Sequence, residues 1–576
     1  MRHACCLLLL PFLAVAAFAS EESPAPLAAR MPEGAVFYVE AGDLAGSLDL
    51  LWNSPALVRA RNHPAAKALW ESPQARRFLT GLQMVKAISG YEPEALLRAL
   101  LGRQIALAVY APADPTGRGE FLLLARVEAA AAEKLLGAMR MVSGMTGGEA
   151  APGESARPAI LGLGRNAFGF VEGDLLVLAS TLDRARASRD SQGGLDASEA
   201  FRSARALARG DEAVFAYLNL APYAKALQPG RKPQEVGEAL FVGPALAYAA
   251  SAPAACFGLT LRREGDSVDL ELSARVPSRA GLTPEFASMA GGALEPLPFA
   301  LPPTTLAVMR MRRDLGALWV HREELLSERG IAGMVEFETN FGTISAGMSF
   351  VDDLLPELRP DLTFVATRPV FEPGAAVPEV RYPQFALLIP LRDAAKVAPD
   401  LKMAFQSAIV FLSAASVQEN GRGLRLSLRK HAGIDLLTAA YAPPTDGEME
   451  GRSALPVRYN FAPSCAEVDG WFLMASSPRI LTDLIDGRGK GTGEAPGANA
   501  GFWIDGREAA LLLRENREAL VTQSILKEGK ARPAAEMQTD LLLDLARHVR
   551  SLSLVFAEER GEAGLRLTVR LGPAGE

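Results

Sequence analysis

Apolar and polar residues alternate one for one through Val268-Asp269-Leu270-Glu271-Leu272-Ser273, through Leu424–Arg429 and through Leu565–Leu571. A period of two puts one face on a core and the other in water, which predicts antiparallel strands. Glu264-Gly265-Asp266, Asn420-Gly421 and Asp469-Gly470 lie between strand-like runs and read as hairpin turns. Ile105–Val109 and Leu175–Leu178 are apolar throughout and predict central strands covered on both faces. Helical patterning in the first half concentrates between Pro55 and Ser89, where Ser54-Pro55 and Ser72-Pro73 read as N-caps followed by proline. Glu94–Leu101, Glu128–Met141 and Phe350–Leu358 predict further helices, and Met403–Leu412 predicts a strongly apolar one.

The same series of elements is written twice. Pro32–Val39 leading to Asp43 is answered by Pro302–Met309 leading to Asp314. Ile105–Tyr110 is answered by Leu362–Ala366, Phe121–Val127 by Phe385–Leu391, and Gly173–Ser180 by Asp469–Ser476. Val214–Asn219 and Phe257–Val276 are answered by Gly501–Asp505 and Leu552–Leu571. The expected fold class is therefore α+β, in two tandem similar copies, each a mainly antiparallel sheet with helices packed on one face. The stretch Gly291–Pro303 holds four prolines that cannot donate to a sheet ladder, and it reads as an extended linker. The expected division is a signal peptide at 1–19, a first copy at 20–285, a Pro-rich linker at 286–303 and a second copy at 304–576. Gly147–Pro158, Pro443–Gly451 and Gly487–Asn499 read as surface insertions.

The N-terminus changes the compartment. Met1-Arg2-His3 precedes an uncharged run from Ala4 to Ala19 that ends in Ala17-Phe18-Ala19. That is the order of a secretory signal peptide, shorter than the ~20 apolar residues of a comfortable membrane span. The chain is expected to be extracytoplasmic, in the periplasm or secreted, and not an integral membrane protein once the signal is cleaved. Leu240–Leu261 is also free of charge, but Gly243, Pro244 and Pro253 break it into helix, turn and strand.

Composition mostly excludes. Across 576 residues, 60 Lys+Arg stand against 67 Asp+Glu, a net charge of −7 that argues against nucleic acid as partner. Removing Arg2 with the signal makes it −8. Cys256 and Cys465 would remain, read as small buried hydrophobes rather than a disulfide framework. His63, His321, His431 and His548 are scattered and no C-x-x-C occurs, so no metal site is expected.

No residues emerge as catalytic, cofactor-binding or metal-binding, and no cofactor is expected. The chain has no G-x-S-x-G. Ser524–Lys527 has the S-x-x-K spacing on a predicted helix, but the companion motifs of penicillin-binding enzymes are missing. Ser427–Lys430 has the same spacing on a strand, where the two side chains point to opposite faces. Gly487–Gly493 and Gly162-Leu163-Gly164 lack phosphate-cradle spacing and read as loop and strand glycines. Asp352-Asp353, Glu323-Glu324 and Glu558-Glu559 read as solvated faces. Arg310, Arg312 and Arg313, alternating with Met309 and Met311, read as the solvent face of a sheet or a subunit contact.

Met31–Glu40 and Val171–Ser180, followed by Ser198–Arg202 and Val214–Leu220, carry a resemblance. In these segments the chain resembles a family of exported bacterial proteins catalogued only as a domain of unknown function. The likeness is clearest over about 30–280. It implies export and a repeated α+β fold, and it implies no activity and no catalytic residues. The expected function is a non-catalytic binding or envelope-associated protein whose partner is a protein or a hydrophobic ligand. The alternative is a carrier of a hydrophobic ligand or lipid in a groove between the two copies, against Met403–Leu412; a hydrolase with an unrecognised site ranks below both.

Overall fold

The computed structural model describes residues 26–42, 44–62, 103–112, 119–145, 158–163, 167–190, 194–223, 232–241, 243–277, 284–290, 292–345, 347–371, 376–445, 449, 454–491, 498–559 and 561–573. The expected signal peptide, the caps at Ser72-Pro73, the helix Glu94–Leu101 and most of the loop Gly147–Pro158 lie outside them. The chain divides into two compact units. The first is built from 1–226, 249–279 and 566–574, the second from 227–248, 280–565 and the last two residues.

In the first unit the strands are β1 (Ala35–Gly42), β2 (Gln104–Tyr110), β3 (Glu120–Arg126), β4 (Leu161–Gly162), β5 (Phe168–Glu172), β6 (Leu175–Ala179), β7 (Val214–Asn219), β8 (Ala254–Glu264) and β9 (Ser267–Pro277). They pair antiparallel in the order β4-β5-β6-β3-β2-β1-β7-β8-β9. The main helices are α1 (Ala129–Met145), α2 (Leu182–Arg189) and α3 (Glu199–Arg205). Ser54 Oγ accepts from the Leu57 N–H at 3.4 Å, the expected cap of the helix Pro55–Asn62.

Helices cover both faces of this sheet, not one. Leu122, Leu124, Val177 and Ala179 pack with Ala185 of α2 and Phe201 of α3. Their neighbours of opposite parity, Ala125 and Leu176, pack with Ala132 and Met139 of α1. The apolar-throughout central strands need two covers, and that requirement overrides the one-sided pattern of the last hairpin.

In the second unit the strands are β10 (Thr305–Arg312), β11 (Asp361–Thr367), β12 (Gln384–Pro390), β13 (Leu424–His431), β14 (Ile434–Tyr441), β15 (Ser464–Val468), β16 (Trp471–Ala475), β17 (Ala498–Asp505) and β18 (Val549–Glu559). They pair antiparallel in the order β13-β14-β15-β16-β12-β11-β10-β17-β18. Three helices matter below: α4 (Glu328–Ile344), α5 (Ala394–Asn420) and α6 (Pro478–Asp486). Again both faces are covered. Leu388 and Leu473 meet Ile480 and Leu481 of α6, whereas Ile389 and Phe472 face Val397 and Leu401 of α5.

The Pro-rich stretch is extended but packs into the second unit. Leu297 and Phe299 are buried in its core, and the Ala300 N–H donates to the Gly487 carbonyl at 2.8 Å. A Cβ on Gly487 would sit 2.5 Å from the Ala300 oxygen, so the glycine there permits a close chain approach. The uncharged stretch from Leu240 resolves into the helix Gly243–Ser251 and β8, as its punctuation predicts.

Candidate functional site: an apolar cleft in the second unit

The cleft forms on the α5 side of the second sheet. Its floor is the outward parity of three strands: Leu362, Leu387 with Ile389, and Met474. One wall is α5, where Asp393 caps the first turn by accepting from the Lys396 N–H at 3.1 Å. The helix ends at Gly421, whose φ of 70° suits a left-handed cap. Between those ends Leu401, Ala404, Phe405 and Ala408 follow an i, i+3, i+4, i+7 spacing and turn one stripe to the cleft.

The second wall is α4. Ser327 caps it by accepting from the Gly330 N–H at 3.4 Å, and Met334, Phe337, Phe341 and Ile344 line the space. Phe350 closes the end. Its ring centroid stands 4.8 Å from Trp319, 4.9 Å from Phe337 and 5.3 Å from Phe341. These are tilted and edge-on arrangements of the kind aromatic quadrupoles favour. The Trp319 indole N–H donates to Glu338 and so is satisfied.

The space is about 980 Å³, near the upper end of the ~300–1,000 Å³ typical of small-molecule sites. Among the described residues, Gln234, Glu235, Arg329 and Glu336 are the only lining residues with an amide or charged side chain, and no serine, threonine, cysteine, histidine or tyrosine lines it. The rim is open, with Phe337 46% and Ile344 40% exposed. Such a surface can desolvate an apolar molecule; it presents no nucleophile–base pair. The cleft belongs to one unit, whereas the sequence suggested a groove between copies. Sequence reasoning found the α5 wall through Met403–Leu412 and missed α4, whose apolar period at 334, 337, 341 and 344 was the available signal.

The other candidate residues resolve as structural. Arg310 and Arg313 are buried, which corrects their reading as a solvent face. β10 is paired on both edges, by β11 and β17, and the chain near Glu295 lies over it. Arg310 donates to Thr363 Oγ1 at 3.0 Å and to the Glu295 carbonyl at 2.7 Å. Arg313 donates to the Leu240 carbonyl at 2.7 Å and to Asn499. Burial pulls both guanidiniums down to about 10. Asp361 is buried as well, which raises its carboxyl despite Arg312 at 2.7 Å.

Ser524 and Lys527 lie on the helix Arg517–Glu528, but among the described residues Ser524 Oγ has no hydrogen-bond partner. Ser427 and Lys430 fall on opposite faces of β13. Asp352 and Asp353 start a short helical turn, Asp352 accepting from Ser349 Oγ and Asp353 from the Ser349 N–H. Gly164, of the 162–164 stretch, lies outside the described residues. Cys256 and Cys465 are buried and unbridged, and burial pushes the Cys465 thiol up to about 12. Among the described residues no group of three or more His, Cys, Asp or Glu side chains could hold a metal ion. No protein family, curated protein or solved structure matches the chain.

Proposed function

We propose that this chain is an extracytoplasmic, non-catalytic binding protein that holds an apolar molecule in the cleft between α4, α5 and the sheet. One observation carries the reading: a space of about 980 Å³ whose walls are aliphatic and aromatic, with amide and charged side chains at four positions among the described residues. An apolar ligand there gains roughly 25 cal/mol for each Å² of apolar surface removed from water. Export rests on the run Ala4–Ala19 and its Ala17-Phe18-Ala19 ending. Native mass spectrometry of the mature protein purified from cells tests the reading. A bound apolar compound, released by organic extraction, is the expected result; an empty protein that takes up no added fatty acid or phospholipid overturns it.

We also infer that the two units descend from one duplicated design. In support, eight strands of each run in the same order: β4-β5-β6-β3-β2-β1-β7-β8, before β9, and, after the extra strand β13, β14-β15-β16-β12-β11-β10-β17-β18. Five of the six repeated sequence segments fall on corresponding strands of the two series, and in the sixth the leading strands β8 and β18 correspond. The likeness to exported domains of unknown function is part of the same proposal.

A further inference from the structure

A second hollow of the second unit gathers arginines. Three helices, α7 (Gly506–Glu515), α8 (Arg517–Glu528) and α9 (Arg532–Ala546), lie between β17 and β18 in the chain. Asp505 starts α7 by accepting from the Glu508 N–H at 3.0 Å, and α7 packs against α9. Arg507, Leu511 and Arg514 recur at i, i+4 and i+7 on α7, and Asp540, Asp544 and Arg547 repeat that spacing on α9. These two stripes, with Arg517 at the start of α8 and Arg550 on β18, line a space of about 320 Å³. That is the small end of the ~300–1,000 Å³ range of ligand sites. Among the described residues it shares no lining position with the apolar cleft.

The lining holds five arginines against two aspartates among the described residues, a local +3 in a protein of net −7. Arg517 is committed, since its guanidinium holds Asp540 through two bonds at 2.7 and 2.8 Å. Asp544 and Arg547, three positions apart on α9, offset one another in charge. Arg507, Arg514 and Arg550 have no ion pair and no side-chain hydrogen bond among the described residues. Neighbouring carboxylates are taken elsewhere. Arg368 holds Glu508 at 2.8 Å and Glu515 at 3.1 Å, and Arg532 holds Glu518 and Glu536, each at 2.8 Å. Like charges held on one surface without counter-ions repel one another, and an anion among them relieves that repulsion.

The chemistry of the lining selects the anion. A carboxylate has two oxygens and is filled by one guanidinium fork. A phosphate monoester carries about −1.5 to −2 and three strong acceptor oxygens, enough for several forks at once. Ala510 and Leu543 add an apolar side to the same space, which suits the organic part of an ester better than bare phosphate.

We propose that this hollow binds a small organic phosphate monoester, with Arg507, Arg514 and Arg550 as the groups that hold its phosphate. The site does not depend on what the apolar cleft holds.

Isothermal titration calorimetry of the chain expressed without residues 1–19 tests the proposal, with phenyl phosphate as the probe. One phenyl phosphate per chain is expected, bound more tightly than benzoate or inorganic phosphate and less tightly as salt rises. Arg507→Gln with Arg514→Gln should weaken binding at least about tenfold. Lys527→Ser removes a charge outside the hollow and should leave binding unchanged, as should Ala404→Trp with Ala408→Trp, which fills the apolar cleft. A thermal melt confirms that each variant folds, and Arg507→Gln alone supplies the milder change if the pair does not. Absence of binding, equal binding of benzoate or inorganic phosphate, or binding to phosphatidic acid vesicles in place of the free ester would each overturn the proposal. So would undiminished binding in the folded glutamine variants, or loss of binding when the cleft is filled.

Discussion

Arg275 and Glu212 meet at 3.0 Å in the first unit with both side chains only 3% exposed. Arg275 also donates to Ser273 Oγ at 2.8 Å, and Glu212 accepts from the Arg209 and Gly210 N–H groups at 2.6 and 2.7 Å. Every partner of this pair lies within the first unit, where β8 and β9 approach the turn before β7.

A buried pair of this kind is costly to break from one side. Arg275→Ala should destabilise the first unit by about 3–5 kcal/mol, because an unpaired carboxylate is left inside. Urea denaturation followed by circular dichroism checks the loss. Gly258→Ala should act on the same pair, since an added Cβ would lie 2.8 Å from Glu212 Cγ and 2.9 Å from Ser273 Oγ.

Acid should weaken the same unit through Glu212. Burial acts to raise its carboxyl, but the Arg209 and Gly210 N–H groups and the Arg275 guanidinium outweigh it and hold the group below its usual 4.5. A depressed carboxyl contributes stability that is full above the unfolded value and is lost as the pH falls through the folded one. The melting temperature should therefore fall on acidification below about 4.5, and Glu212→Gln should be less stable at neutral pH with a flatter acid limb.

Arg313 is an internal strut of the second unit. Arg313→Met should cost about 3 kcal/mol or more, because the Leu240 carbonyl and the Asn499 amide lose a charged donor in a dry setting. Guanidinium denaturation should show the loss without a change in secondary structure before the transition.

The two thiols should be silent in the folded protein. Cys256 and Cys465 are fully buried, and the Cys465 thiol lies far above neutral pH. In a chain expressed without residues 1–19, Ellman's reagent at pH 8 should label neither before unfolding in guanidinium and both after it. Rapid native labelling would contradict the packing of β8 and β15.

The strands were largely legible because their pattern answers to local geometry. The alternation through Val268–Ser273 falls on β9, and the unbroken apolar run Leu175–Leu178 falls on a strand with helices on both sides. Arg310 and Arg313 were misread because charge type signals water, while their location is decided by the neighbours β10 acquires in the sheet. The cleft was half legible for a similar reason. Phe405 and Phe411 sit on one helix with the same chemistry, yet one lines the cleft and the other is 55% exposed. Identity records that a side chain is apolar; packing of distant segments decides whether it meets core, cavity or solvent.

The central claim, an apolar ligand in the cleft, is tested most directly by titrating the mature protein with N-phenyl-1-naphthylamine and following its fluorescence. Saturable uptake of one probe per chain is predicted. Ala404→Trp with Ala408→Trp, which fills the space between α5 and the sheet, should abolish it, while Leu526→Ser, at a side chain 79% exposed on another helix, should leave it intact. Uptake that survives filling the cleft, or that falls as much in Leu526→Ser, would contradict the account.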